Sequence, residues 1–349
     1  MDATTKSLLQ DYIGTDPLSL IQAFLEPMFV SKWVTPNDYF ELVLPIEPGS
    51  KCDFTVRWGD GTTDVVTDIW AASHIYSKAG EYEIQIHGII EGFSFRHFGM
   101  MSPHIHHISE WGPLLLADGS RQFALCSNLN ISSLDEPRLD HVTSMVDMFH
   151  NASGFNGNLS GWDTAGVMDM NRMFQGSSAF NGDVSGWDTG RVENMSHMFE
   201  NATAFNGDLG EWNTSMVTDM SWMFKGASAF DGDVSEWDTG NVTDMSHMFQ
   251  AATVFNGDLS GWVTAEVNDM CTMFTDASAF DGDVSAWDTG NVTDMSHMFD
   301  NATAFNGDLS RWDTAEVDDM CSMFQGASAF NGDMEPAKKK RKMWRGQSL

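Results

Sequence analysis

A constant period of 25 residues constrains this chain more than any other feature. Tryptophans stand at Trp162, Trp187, Trp212, Trp237, Trp262, Trp287 and Trp312, and valines recur in the same frame from Val142 to Val317. Phe149 to Phe324 and Phe155 to Phe330 mark two further columns; Met145 and Met148 open two more that run to Met320 and Met323. Eight copies fill residues 142–334, each with six or seven fixed apolar positions. A unit so short cannot bury those side chains alone, whereas stacked units enclose one continuous core.

The period lies within the range of leucine-rich repeats. The predicted fold is therefore a leucine-rich-repeat-like solenoid, each coil giving a short strand to a parallel β-sheet, with irregular or 3-10 return segments. Gly157, Gly182 and Gly207 are expected in tight turns at positive φ. The repeats alternate: Leu159, Leu209, Leu259 and Leu309 interleave with Val184, Val234 and Val284, and "NAT"-type segments interleave with "GAS"-type ones. Duplication of a 50-residue pair accounts for this.

Ahead of the array, "DYFELVLPI", "CDFTVRWGDG", "SHIYSKAGEYEIQIHGII" and "GFSFRHF" read as strands parted by Gly and Pro turns. The expected organisation is a helical extension over 1–26, a β domain over 27–98, a bridge and array cap over 99–141, the repeats over 142–334 and a basic tail over 335–349.

The array, with units such as "DTGNVTDMSHMF", resembles the BspA-like leucine-rich-repeat surface proteins across about 200 residues. The segment before it resembles a PKD-type antiparallel β-sandwich through "VRWGDGTTD" and "HIYSKAGEYEIQI". The first resemblance implies an exported or surface-displayed protein acting in adhesion or recognition, without enzymatic activity. Two features depart from it. The N-terminal stretch lacks a basic start followed by a clean apolar core, so no signal peptide is expected there. The tail is basic instead of a sorting module, so nucleus or cytoplasm stays open beside cell surface or extracellular space.

Charge narrows the partners. The chain carries 50 acidic against 18 basic residues, a formal charge of −32. Such a body repels nucleic acid and anionic membranes, and no apolar run is long enough for membrane insertion. The expected partner is a protein or glycan. Cys52, Cys126, Cys271 and Cys321 are too scattered for a disulfide framework. Cys271 and Cys321, two coils and roughly 10 Å apart, are expected as free thiols.

The Met-x-x-Met pairs flanking a His look at first like a soft-metal ligand set. The two residues between the Mets vary freely, so the Mets read as core filler against the Phe columns, and the variable residues read as surface. Arg172, His197, Trp222, His247, Thr272, His297 and Ser322 are the candidate ligand contacts. Trp222 is expected to be an exposed aromatic whose replacement by Ala leaves stability nearly unchanged. Asp183, Asp208, Asp233, Asp258, Asp283 and Asp308 form a carboxylate column that caps turns, binds Ca²⁺ or fans into water. No other cofactor is expected. A second Asp column follows the valines. "WGDG" reads as a hairpin turn, and His97, His104, His106 and His107 as a polar loop. Lys338, Lys339, Lys340, Arg341 and Lys342 resemble a nuclear-import signal. Nothing resembles a phosphate loop, a catalytic triad or an acid/base pair.

Overall fold

The structure, a computed structural model, describes residues 27–332. The helical extension over 1–26 and the basic tail lie outside the described residues. Ten strands and three short 3-10 turns are present, and no α-helix occurs among the described residues.

The first part is built on a six-stranded sheet. Its strands are β1 (Phe29–Thr35), β3 (Cys52–Arg57), β4 (Thr63–Val66), β6 (Gly80–Ile90), β7 (Ile105–Glu110) and β9 (Asn130–Ile131), in the order β4-β3-β6-β1-β7-β9. β2 (Phe40–Val43) pairs with β5 (Ser73–Tyr76) separately. Alternation sets the inner face: Phe54 and Val56 on β3, and Ile84 and Ile86 on β6, are buried while their neighbours are not. The "WGDG" segment is a turn. Asp60 Oδ1 accepts from the amide and hydroxyl of Thr62, and its Oδ2 lies 2.8 Å from His74 Nε2. His74 stacks on the buried Trp58, whose carbonyl accepts the Tyr76 hydroxyl at 2.7 Å.

The aromatic core then runs into the array without a break. Phe93 meets Phe123 at 6.1 Å, Phe123 stacks on Phe149 at 5.6 Å, and the Phe149 column continues at 5.5–5.7 Å per repeat to Phe324. Val, Met, Phe and Trp of each internal repeat are buried, each contributing on the order of 1.5–3 kcal/mol. Equivalent Trp rings from Trp187 to Trp312 lie 6.2–6.4 Å apart, so the repeats fan open toward the Trp side.

Backbone bonds repeat with the sequence. Asp147, Phe149 and Asn151 donate N–H to the carbonyls of Asn171, Met173 and Gln175 in the next repeat, at 2.7–3.0 Å. Arg121, Phe123 and Leu125 do the same toward Val146, Met148 and His150, so the bridge supplies one further coil in the same pattern. β8 (Gly119–Ser120) and β10 (Met145–Val146) make a short parallel pair there.

This architecture overturns the expected fold class. A leucine-rich-repeat-like solenoid needs a strand per coil, yet past β10 no strand occurs in the described array; neighbouring repeats touch through single parallel bridges from Ser144–Asp169 to Asp294–Asp319. The reason is local. The bridging Asp169 folds its Oδ1 onto the amide of Asn171 at 2.9 Å, and Arg172 follows at φ 57°, so the extended backbone ends after one pair. The equivalents from Asn194 to Asp319 do likewise at 2.8–2.9 Å. The PKD-like antiparallel sandwich is corrected too. Every strand pair within 27–98 is antiparallel, but the main sheet does not end there: it extends to residue 131 and is mixed, because β7 and β9 pair in parallel.

The glycine expectation also fails. Gly157, Gly182 and Gly207 do not have positive φ. They are needed for space: a Cβ on Gly182 would lie 2.8 Å from the Gly157 carbonyl oxygen and 2.9 Å from the Phe180 ring.

Candidate functional site

The seven candidate contacts stand in one column, and every one has positive φ. Arg172, His197, Trp222, His247, Thr272, His297 and Ser322, with Asp147 at the column's head, lie at φ 55–63°. This conformation costs an ordinary residue roughly 1 kcal/mol. A second positive-φ column four residues on holds Asn151, Gly176, Asn201, Gly226, Ala251, Asp276, Asn301 and Gly326, mostly the residue types that tolerate it. That tolerance explains why Asn and Gly both serve at this position of the "NAT" and "GAS" segments.

A neighbouring set of side chains escaped the sequence reading: Gln175, Glu200, Lys225, Gln250, Thr275, Asp300 and Gln325, three residues beyond the first column. The signal was a second freely varying position directly after the invariant Phe. The two sets meet. His197 Nδ1 lies 2.7 Å from Glu200 Oε2, which also accepts from Gln175, and Lys225 Nζ stands 3.6 Å from Glu200 Oε1. His247 Nδ1 is 3.0 Å from Gln250 Oε1, and His297 Nδ1 is 3.0 Å from Asp300 Oδ2.

Trp222, expected to be exposed, is not, and of the seven candidates only Arg172 is fully exposed. Trp222 is half-buried, between His197 at 5.2 Å and His247 at 4.0 Å, with Lys225 Nζ 3.7 Å from its ring centre. Arg172 is exposed; Thr272, His297 and Ser322 are half-buried and join no such stack. Burial opposes the charge on Glu200, but bonds from His197 and Gln175 and the nearby Lys225 outweigh it and hold the carboxyl below its usual value. Burial pulls His247 below the usual histidine value.

The carboxylate columns are engaged locally. Each of Asp183, Asp208, Asp233, Asp258, Asp283 and Asp308 accepts the amide two residues on at 2.9–3.0 Å. Among the described residues no group of three or more His, Cys, Asp or Glu is arranged to hold a metal ion. The basic residues 338–342 lie outside the described residues. No helix among the described residues is long and apolar enough to cross a membrane.

Together these features define an acidic repeat protein with a constant aromatic and Met core and two variable side-chain columns, the first mostly half-buried and the second including the buried Glu200, Thr275 and Asp300. Residues 117–235 and 218–338 each match the family described as "Mycoplasma protein of unknown function, DUF285", together more than half of the 349 residues. The chain belongs to that family. Neither the comparison with curated proteins nor that with solved structures gave a match.

Proposed function

We propose that this is a non-enzymatic binding or adhesion protein that takes a protein or glycan ligand on the two variable columns. The observation that carries the reading is their register. Eight repeats vary at the same two positions beside a nearly constant core, so these side chains change while the packing of the Val, Met, Phe and Trp columns is kept. The His197–Trp222–His247 stack is the most ordered part of these columns. Rings already held in place lose little freedom on meeting a ligand. The resemblance to BspA-like surface proteins supports a cell-surface or extracellular setting, with nucleus or cytoplasm as the alternative.

A panel of immobilised glycans and extracellular-matrix proteins, probed with the full chain, tests this. A Trp222→Ala/His197→Ala variant that keeps its circular dichroism spectrum should lose the binding of the unaltered chain. Retained binding, or no binding to the panel by the unaltered chain, counts against the reading. The calcium-dependent structural alternative rests on Asp183 and its equivalents. Their amide bonds support turn capping instead, and a melting temperature lowered by chelator would reverse that preference.

A further inference from the structure

His247 and Cys271 sit in adjacent repeats with Cys271 Sγ 3.8 Å from His247 Nε2. The backbone ties them together, since His247 N–H donates to the Cys271 carbonyl at 2.9 Å. The imidazole is oriented from two sides. Trp222 covers one face, and Nδ1 lies 3.0 Å from the amide oxygen Gln250 Oε1. An amide oxygen only accepts, so Nδ1 carries the proton and Nε2 presents its lone pair toward the sulfur. From these contacts we infer that His247 Nε2 and Cys271 Sγ form a two-donor site for a thiophilic monovalent cation such as Cu(I) or Ag(I).

Distance supports the inference. Metal bonds of about 2.3 Å to sulfur and about 2.0 Å to nitrogen put the donors of a linear two-coordinate ion about 4.3 Å apart, so the 3.8 Å contact opens to that span with a side-chain shift of about 0.5 Å. The ligand count selects the ion. No third His, Cys, Asp or Glu among the described residues completes a group able to hold a metal, whereas a soft monovalent ion is content with a thiolate and one imidazole. The surroundings suit a cation. The carboxylates of Asp269, Asp294 and Asp244 place a negative field at the sulfur, which favours a positive ion there. On binding, the S–H bond breaks, bonds from sulfur and nitrogen to the metal form, and the proton leaves to solvent. No electron changes hands.

The equivalent position two repeats on is a built-in control. Cys321 is exposed, and its Sγ lies 3.7 Å from Ser322 Oγ. Anaerobic titration of the full chain with Cu(I), in competition with a chromophoric Cu(I) chelator, tests the site. Cys271→Ser and His247→Phe should each lose one bound ion or weaken it at least about tenfold, while Cys321→Ser keeps it. His247→Phe preserves a ring against Trp222, and circular dichroism checks folding. Unchanged binding in either variant overturns the site. So does a loss confined to Cys271→Ser, which would mean a thiol acting alone, and so does an unaltered chain that holds no ion.

Discussion

Trp222 and His247, one repeat apart, lie face to face with ring centroids 4.0 Å apart, and the Lys225 ammonium caps the same indole at 3.7 Å. A residue at a freely varying position is thus half interior, which changes what its removal should do.

Trp222→Ala should destabilise the fold by about 1–2 kcal/mol, from the lost stacking and cation–π contact. Trp237→Ala, which empties a buried site and frees the Leu209 carbonyl that Trp237 Nε1 bonds at 2.9 Å, should cost about 3–5 kcal/mol. Urea unfolding of the two variants checks the ranking, and equal costs would place Trp222 in the core.

Asn206 belongs to a ladder. From Asn156 onward, each Oδ1 accepts the amide of its counterpart in the next repeat at 2.8–3.1 Å. Only the oxygen is used, which explains why Asp231 and Asp281 replace Asn without breaking the run. Asn206→Ala should therefore cost about 0.5–1.5 kcal/mol, and Asn206→Asp much less, as measured by thermal melting.

Thr272 is a β-branched residue held at φ 61°, the least comfortable occupant of its column. Thr272→Gly should raise stability by about 0.5–1 kcal/mol, and Thr272→Val should not. A denaturant midpoint that falls for the Gly variant would contradict this.

Glu200 and Asp244 should respond to pH in opposite ways. Glu200 is held below its usual value despite its burial, through His197, Gln175 and Lys225. A depressed carboxyl stabilises the fold above its unfolded value, and that contribution is lost as pH falls through the folded one. Glu200→Gln should be less stable than the unaltered chain at pH 7 and converge with it below about pH 4. Burial raises Asp244 beyond what its bonds to Ser246 offset. A raised carboxyl contributes stability present at low pH and lost as pH rises through the folded value. Asp244→Asn, copying Asn194 in the same column, should gain stability at pH 7, and the gain should vanish in acid. Urea midpoints at pH 7 and pH 3 decide both.

The buried columns were legible because a strict period places equivalent side chains in equivalent surroundings: Val, Met, Phe and Trp are buried repeat after repeat, and the Phe and Trp rings stack on their counterparts. The Asp turns were legible as one of three readings, since an Asp two residues before Ser or Gly offers its own short-range bond. The partners of the variable residues were not. His197, Trp222 and His247 look like independent surface positions until stacking brings them within ring contact. Gln175, Glu200 and Lys225 give no sign in sequence that they meet.

The 25-residue period by itself determined which side chains the repeats hide, because a strictly repeated apolar pattern places equivalent residues in equivalent surroundings. Tertiary structure decided that single bridges and turns join the repeats instead of strands. That choice follows from backbone at positive φ and from carboxylates bonding their own amides, which hydropathy does not record. Tertiary structure alone also set the 3.8 Å between His247 and Cys271. Residues separated by nearly a full repeat acquire a distance only once one coil lies on the next.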